Sequence, residues 1–439
     1  MCLPAALAGI AIEHWTQPSG AQVFLVQSHA IPMLDVQLDF DAGSRRDPPQ
    51  QAGLASVTAS LSGMGVLANP ARGDLALDEN ALGEAWADLG ASFGGHASSD
   101  RMSFALRSLT YPDLLGKAVQ LAARQLAEPA FPADIWQRER ETMIAAIKES
   151  NTRPDTLAQR AFDQAVYGDH PYGYDTTEAS LQRIEVAHMA ALYRQSIRAC
   201  RTQVTLVGAV TRAQADALVT ELLARLAGTG KAQASDCPAL PAVAEVAPLM
   251  QASEQRMAFD SAQAHVLLGQ PGYKRSDPDF FAMLVGNYIL GGGGFVSRLT
   301  HEVREKRGLS YSVYSYFAPG LHAGAFAIGL QTRPDQADQA LQVSREVLAR
   351  FVADGPTEAE LQAAKDNLIG GFALRLDSNR KLLDNVANIA WNELPLDYLD
   401  TWTQRVKKIS AADIRLAFQR KLQPEKMATV VLGGSTSKR

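Results

Sequence analysis

The stretch LGGGGFVSRL occupies residues 290–299 and leads into VREKRGLSYSV at residues 303–313. Its four consecutive glycines, Gly291 to Gly294, permit positive φ angles and close approach of the backbone to a neighbour. Two interpretations stay open: a tight turn before the next helix, or a flexible loop that contacts a substrate. A nucleotide-binding loop is excluded, because no Gly-Lys-Ser/Thr follows the glycines.

The chain contains an internal repeat whose copies lie 225 residues apart. The strand-like segment VTLVG starts at Val204, and its counterpart TVVLG starts at Thr429. Met143-Ile144 and Leu368-Ile369 each end an amphipathic helical run and show the same offset. Matching features at one offset indicate a duplicated unit.

Residues 228–248 are rich in Ala, Pro, Gly and Ser and show no amphipathic period. Such a composition is typical of a linker. The sequence therefore predicts an N-terminal unit at residues 1–228, a linker at 229–250 and a C-terminal unit at 251–439.

Within each predicted unit, strand-like segments come before helical ones. The predicted strands are residues 23–26, 34–40 and 102–109 in the first unit, and 264–269 and 323–331 in the second. The predicted helices are 53–64, 114–126, 134–149 with Asp134 as N-cap, 335–352 and 357–374. This order favours an α+β class, with two α/β sandwich units of mostly antiparallel sheet and helices packed on it.

Composition excludes several classes of protein. The 439 residues carry a net charge of -5 and 46% hydrophobic residues, which suits a large core and argues against a nucleic-acid-binding protein. No apolar stretch is long enough for a membrane helix. Three cysteines, Cys2, Cys200 and Cys237, do not indicate a disulfide framework, although a Cys200–Cys237 bridge is possible.

Residues 290–313 are similar to the LGGGxxSRLxxxxREKxGLxY stretch of pitrilysin-type (inverse zincin) metallopeptidases and of mitochondrial processing peptidase. AGSRRDP at residues 42–48 and HPYG at 170–173 resemble two further landmarks of that family. The resemblance covers nearly the whole chain. It implies one half of a clam-shaped peptidase, built from two α/β units.

Active members of the family carry HxxEH on a helix, which binds zinc and supplies the general base. The matching positions here are Ser56, Ala59 and Ser60, and the position of the distal glutamate ligand is Ala146. Serine is a poor zinc ligand, and alanine is none. The resemblance therefore implies no metal in this chain and a degenerate zinc motif.

The second unit keeps the other functional residues of the family. By resemblance, Tyr311 donates a hydrogen bond to the developing oxyanion and Arg304 holds the substrate backbone. Gly291, Gly292, Gly293 and Gly294 match a glycine loop proposed to contact substrate in the non-catalytic mitochondrial subunit. The spacing alone also fits a surface arginine and a core tyrosine.

We therefore expect a chain that is inactive alone and completes the zinc site of a homologous HxxEH-bearing subunit in a heterodimer. Zinc would be bound by the partner, and peptides would be the substrates. The alternatives are an inactive structural subunit and a stand-alone peptide-binding pseudopeptidase. The apolar start at residues 3–12 favours a periplasmic location, with the cytoplasm as the alternative.

Overall fold

The computed structural model describes residues 9–226 and 237–434. The chain divides into two compact units, each assembled from three segments. Unit 1 comprises Met1–Ile144, Thr176–Val243 and Ala373–Thr401, and unit 2 comprises Ala145–Asp175, Ala244–Phe372 and Trp402–Arg439. Each unit contains one sheet with helices packed against it, which confirms the α+β class.

Unit 1 contains a six-stranded sheet in the order β1-β2-β6-β3-β5-β4. All its pairs are antiparallel except β2 with β6. Its strands are β1 (Glu13–Thr16), β2 (Gln22–Gln27), β3 (Met33–Phe40), β4 (Ser92–Ala97), β5 (Met102–Leu109) and β6 (Gln203–Gly208).

Unit 2 contains a five-stranded sheet in the order β7-β11-β8-β10-β9. Here too a single pair, β7 with β11, is parallel. Its strands are β7 (Ser253–Met257), β8 (Ala264–Pro271), β9 (Ser312–Phe317), β10 (Ala325–Thr332) and β11 (Ala428–Leu432). This order repeats the order β2-β6-β3-β5-β4 of the first sheet, as the internal repeat predicts.

The helices fall into two runs, one in each half of the chain. The first run is α1 (Leu54–Leu61), α2 (Glu79–Asp88), α3 (Pro112–Ala127), α4 (Ala133–Ser150), α5 (Pro154–Tyr167), α6 (Glu178–Gln182), α7 (Val186–Ser196) and α8 (Arg212–Leu223). The second run is α9 (Phe280–Asn287), α10 (Ala337–Asp354), α11 (Glu358–Gly370), α12 (Asn379–Trp391), α13 (Tyr398–Lys408) and α14 (Ala411–Lys421). Capping boxes at Thr211, Thr357 and Ser410 fix three of the helix starts.

The compact units are not the two sequential halves, because each half contributes one helix to the sheet of the other. Helix α5 packs on β8 and β11 in unit 2, where Phe162 is fully buried. Helix α12 packs on β6 and β3 in unit 1. Arg101 helps hold α12 there: it donates to Asp39 (3.1 Å) and to the Ala387 carbonyl (3.3 Å). The unit boundaries predicted from the sequence, at residues 228 and 251, place α5 in the first unit and α12 in the second. They therefore do not describe this exchange.

Three further local predictions can be compared with the structure. Asp134 lies inside the first turn of α4, which begins at Ala133, so its assignment as N-cap is wrong. Cys200 and Cys237 form a disulfide with Cα atoms 6.0 Å apart, so the bridge that the cysteine count made only possible is present. The predicted linker lies partly outside the described residues, and positions 237–249 contain neither helix nor strand.

Candidate functional site

The degenerate zinc motif lies on α1. Ser56 and Ser60 are one helical turn apart on its exposed face, whereas Ala59 is fully buried. Ala146 is exposed on α4, in the part of that helix that belongs to unit 2. Across residues 9–226 and 237–434, no group of three or more His, Cys, Asp or Glu side chains could hold a metal ion. Serine and alanine side chains lack the imidazole and carboxylate groups that bind zinc, so the residues at the motif do not fit this metal.

The start of α1 is fixed by a buried carboxylate. Asp47 accepts hydrogen bonds from the backbone N–H groups of Gly53 and Ala55, both at 2.9 Å. Burial raises the pKa of Asp47 to about 7, although the two N–H donors act in the opposite direction. The helix that carries the degenerate motif is therefore formed, and Asp47 fixes its first turn.

The glycine run starts as a π-helical turn at Tyr288–Gly292, which continues α9. Gly291 is buried, and a Cβ atom there would lie 2.5 Å from the backbone nitrogen of Ser315 on edge strand β9. Asn287 and Ser315 join the same two segments, because the Ser315 hydroxyl donates to Asn287 Oδ1 at 2.7 Å. Gly291 therefore serves close packing against β9.

The remaining glycines differ from Gly291. Gly292 and Gly294 are exposed, and Gly294 has a φ of +62°, which favours glycine. A Cβ atom at Gly293 would lie 2.6 Å from the Tyr288 carbonyl oxygen. The run combines a tight turn with an exposed stretch, and contact of Gly292 or Gly294 with substrate stays a prediction.

Arg304 and Tyr311 lie together at the surface of unit 2. Arg304 belongs to a second π-helical turn, Thr300–Glu305, and Tyr311 directly precedes β9. The guanidinium carbon of Arg304 lies 4.8 Å from the centroid of the Tyr311 ring. Tyr311 is 81% exposed, so it is not a core aromatic. The structure thus brings together the two residues that the sequence singles out.

The backbone next to Tyr311 is fixed by hydrogen bonds to strand β10. Leu309 and Ser310 are buried, and the Ser310 hydroxyl lies 2.6 Å from both the Ser312 and the Gln331 carbonyl oxygens. Thr332 donates a hydrogen bond to the Leu309 carbonyl. The backbone before Tyr311 is therefore tied to β10, while the phenol ring itself projects into solvent.

A cavity of about 580 Å³ lies within unit 2, between α5 and the strands β8, β9 and β10. Ser312 and Tyr314 of β9 line it, as do three carboxylates, Asp155, Asp163 and Asp175. Burial raises the pKa of Asp163 to about 6, and the neighbouring charge of Asp175 acts in the same direction. No pattern in the sequence predicts this cavity, because α5 comes from the other half of the repeat.

Two family descriptions match the chain. "Insulinase (Peptidase family M16)" matches residues 22–180, and "Peptidase M16 inactive domain" matches residues 183–368. A crystal structure of a peptidase M16 inactive domain from Pseudomonas fluorescens is 33% identical, with a TM-score of 0.88, over 98% of this chain and 99% of that one. The chain belongs to peptidase family M16.

Two curated proteins also resemble this chain. An uncharacterized zinc protease of Mycobacterium tuberculosis is 26% identical over 98% of this chain and 95% of its own length. A protein of Helicobacter pylori named as a non-peptidase homolog is 26% identical over 89% of this chain and 87% of its own. Among the residues that the structure describes, no helix has the length and apolar character needed to cross a membrane.

Proposed function

We propose that this M16 chain is the subunit of a two-chain zinc peptidase that lacks the metal site and supplies Arg304 and Tyr311 to a homologous partner's site. The observation that carries the proposal is the contact of Arg304, which is half-buried, with Tyr311, which is 81% exposed at the surface of unit 2. An exposed tyrosine beside an arginine has no role in the core of this unit. Its hydroxyl is open to a ligand.

The chemistry of the pair suits peptide hydrolysis. Attack on a peptide carbonyl places negative charge on its oxygen, and a fixed phenol donor stabilises that charge by about 2.7–4 kcal/mol. The Arg304 guanidinium offers N–H donors to a carbonyl or carboxylate of the peptide. Neither side chain activates water, so the activated water must come from the zinc site of the partner.

The disulfide supports a periplasmic location. Disulfides form and persist in oxidising compartments and are rare in the cytosol of mesophiles. Cys200 and Cys237 are bridged in unit 1. A chain that crosses into the periplasm would also meet short or unfolded peptides there.

A second candidate is a protein that binds peptides without turnover. The Helicobacter pylori relative is named as a non-peptidase homolog, which favours this alternative. The two candidates differ in the partner: a binding protein acts without any zinc-bearing subunit.

Affinity capture of the tagged chain from its native cell separates them. We expect a stoichiometric partner with HxxEH and one zinc per pair by metal analysis, and peptide hydrolysis by the captured complex. Recovery of this chain alone, free of zinc and inactive on an unstructured peptide, would reject the two-subunit peptidase.

A further inference from the structure

Arg304 is held by two aromatic rings from different segments. Its guanidinium carbon lies 4.8 Å from the ring centroid of Phe295 as well as 4.8 Å from that of Tyr311. Phe295 belongs to the short turn Gly294–Val296, and 71% of its surface is exposed. A large apolar side chain so exposed gains little from the core of unit 2, and its ring contacts the Arg304 guanidinium.

The other cations of this segment are paired with carboxylates. Arg298 forms a bidentate pair with Glu360, with both N···O distances at 2.6 Å. Lys306 and Arg307 both bind Glu302 at 2.7 Å. Within the described part of the chain, Arg304 has no carboxylate within ion-pair distance and contacts the faces of two rings instead.

This difference matters for ligand binding. A carboxylate partner occupies the in-plane N–H donors of a guanidinium, as Glu360 does for Arg298. An aromatic ring attracts the cation through the negative charge of its face. It does not accept hydrogen bonds from the in-plane N–H groups as a carboxylate does. Two rings can therefore fix the orientation of Arg304 and leave its donors available to a ligand.

We propose that Phe295 is a positioning residue that, with Tyr311, holds the Arg304 guanidinium ready for a peptide carbonyl or carboxylate. The role of Arg304 in peptide binding rests on the proposed function. The orientation of Arg304 by the two rings does not. Gly294, with its φ of +62°, turns the backbone that presents Phe295, and no atom lies within 4 Å of a Cβ placed there. This glycine is therefore required by its backbone conformation alone.

The first experiment uses the full chain alone. The Nε–Hε signal of Arg304 is assigned in an NMR correlation spectrum by its loss in Arg304→Lys. We expect a ring-current shift in the wild type that Phe295→Leu reduces and Phe295→Trp retains. Val296→Ala, at the neighbouring exposed position, serves as control and leaves the shift unchanged. An Arg304 signal insensitive to Phe295→Leu would overturn the proposal.

The second experiment measures binding of a fluorescent, unstructured peptide of alanine, glycine and leucine. Fluorinated phenylalanines at position 295 weaken the negative ring face with little change in size. We expect the Kd to rise stepwise with fluorination, by roughly two- to fivefold in total, and not to rise in an Arg304→Gln background. A flat series with Arg304-dependent binding would refute the positioning role.

The two proposals fail in distinguishable ways. In the first case, the wild-type chain and its captured complex bind no peptide, but the Arg304 signal still depends on Phe295. The proposed function is then wrong, and the orientation of Arg304 by Phe295 is supported. If peptide binding depends on Arg304 but neither the signal nor the Kd responds to Phe295, the proposed function stands and this inference is wrong.

Discussion

The Arg304 guanidinium stacks against the Tyr311 ring because the chain reverses between them at Gly308. Gly308 has a φ of +59°, and its N–H donates to the Arg304 carbonyl at 2.9 Å. Leu309 N–H donates to the Val303 carbonyl at 3.0 Å, which completes the reversal. A seven-residue spacing thus becomes a direct contact between the two side chains.

Tyr311→Phe removes one hydroxyl from this group and nothing from the core. Because the phenol is proposed to stabilise an oxyanion, we expect kcat of the reconstituted pair to fall by roughly 10²–10³-fold, with assembly unchanged. Tyr314→Phe on β9 is the matched control. Steady-state kinetics and size-exclusion chromatography measure both, and a Tyr311→Phe pair with wild-type kcat would refute the oxyanion role.

Ala59→Glu tests whether the motif can be restored. Ala59 is fully buried, so a glutamate there places a carboxylate where water does not reach it. We expect the free energy of unfolding to fall by roughly 2–4 kcal/mol, measured by urea titration. Ser56→Glu, on the exposed face of the same helix, should change the free energy of unfolding little. Equal stability of the two variants would show that position 59 still accepts a general base.

Asp163→Asn tests the cavity carboxylate. Burial raises the pKa of Asp163 to about 6, above its value in the unfolded chain. Its contribution to stability is therefore complete below about pH 4 and is lost as the pH rises through about 6. We expect Asp163→Asn to be more stable than wild type at pH 8 but not at pH 4.

Thermal unfolding at several pH values measures this crossover. Asp169→Asn, an exposed change in the same segment, should follow the wild type at every pH. A constant stability difference between Asp163→Asn and wild type from pH 4 to pH 8 would contradict the raised pKa.

Cys237→Ser removes the bridge to Cys200. In the chain-entropy description, closing a loop of this length contributes about 3–4 kcal/mol, so the free energy of unfolding of the variant, measured by urea titration, should be lower by that amount. Cys2→Ser is the control. Thiol labelling of protein taken from its native cell gives the compartment: full labelling of Cys200 and Cys237 without reductant would contradict an oxidising location.

The sequence predicted the features that depend on local pattern. The strand Met102–Leu109 has the expected bounds, and helix α10, Ala337–Asp354, lies within two residues of the expected span. The 225-residue repeat corresponds to the shared strand order of the two sheets. The Arg304–Tyr311 pair could be found because a long flanking stretch, and not the two residues alone, resembles family M16.

Features that depend on distant packing could not be predicted. Nothing in the amphipathic pattern of α5 says which of two similar sheets it covers. The same holds for Phe295, which reads as one more apolar residue after the glycines until the fold brings Arg304 against its ring. The π-helical turn at Tyr288–Gly292 likewise reflects the fit of Gly291 against Ser315 and not a local preference.

The exchanged helix α12 sets an order of events for the growing chain. The strands of the first sheet are all synthesised by Gly208, but the helix that covers β6 and β3 ends only at Trp391. At ribosomal speed the delay is roughly 10–40 s, during which the face of β6 and β3 that α12 covers stays open. A fragment that ends at the linker would therefore lack both the helix that covers this face and the Ala387 carbonyl that accepts a hydrogen bond from Arg101.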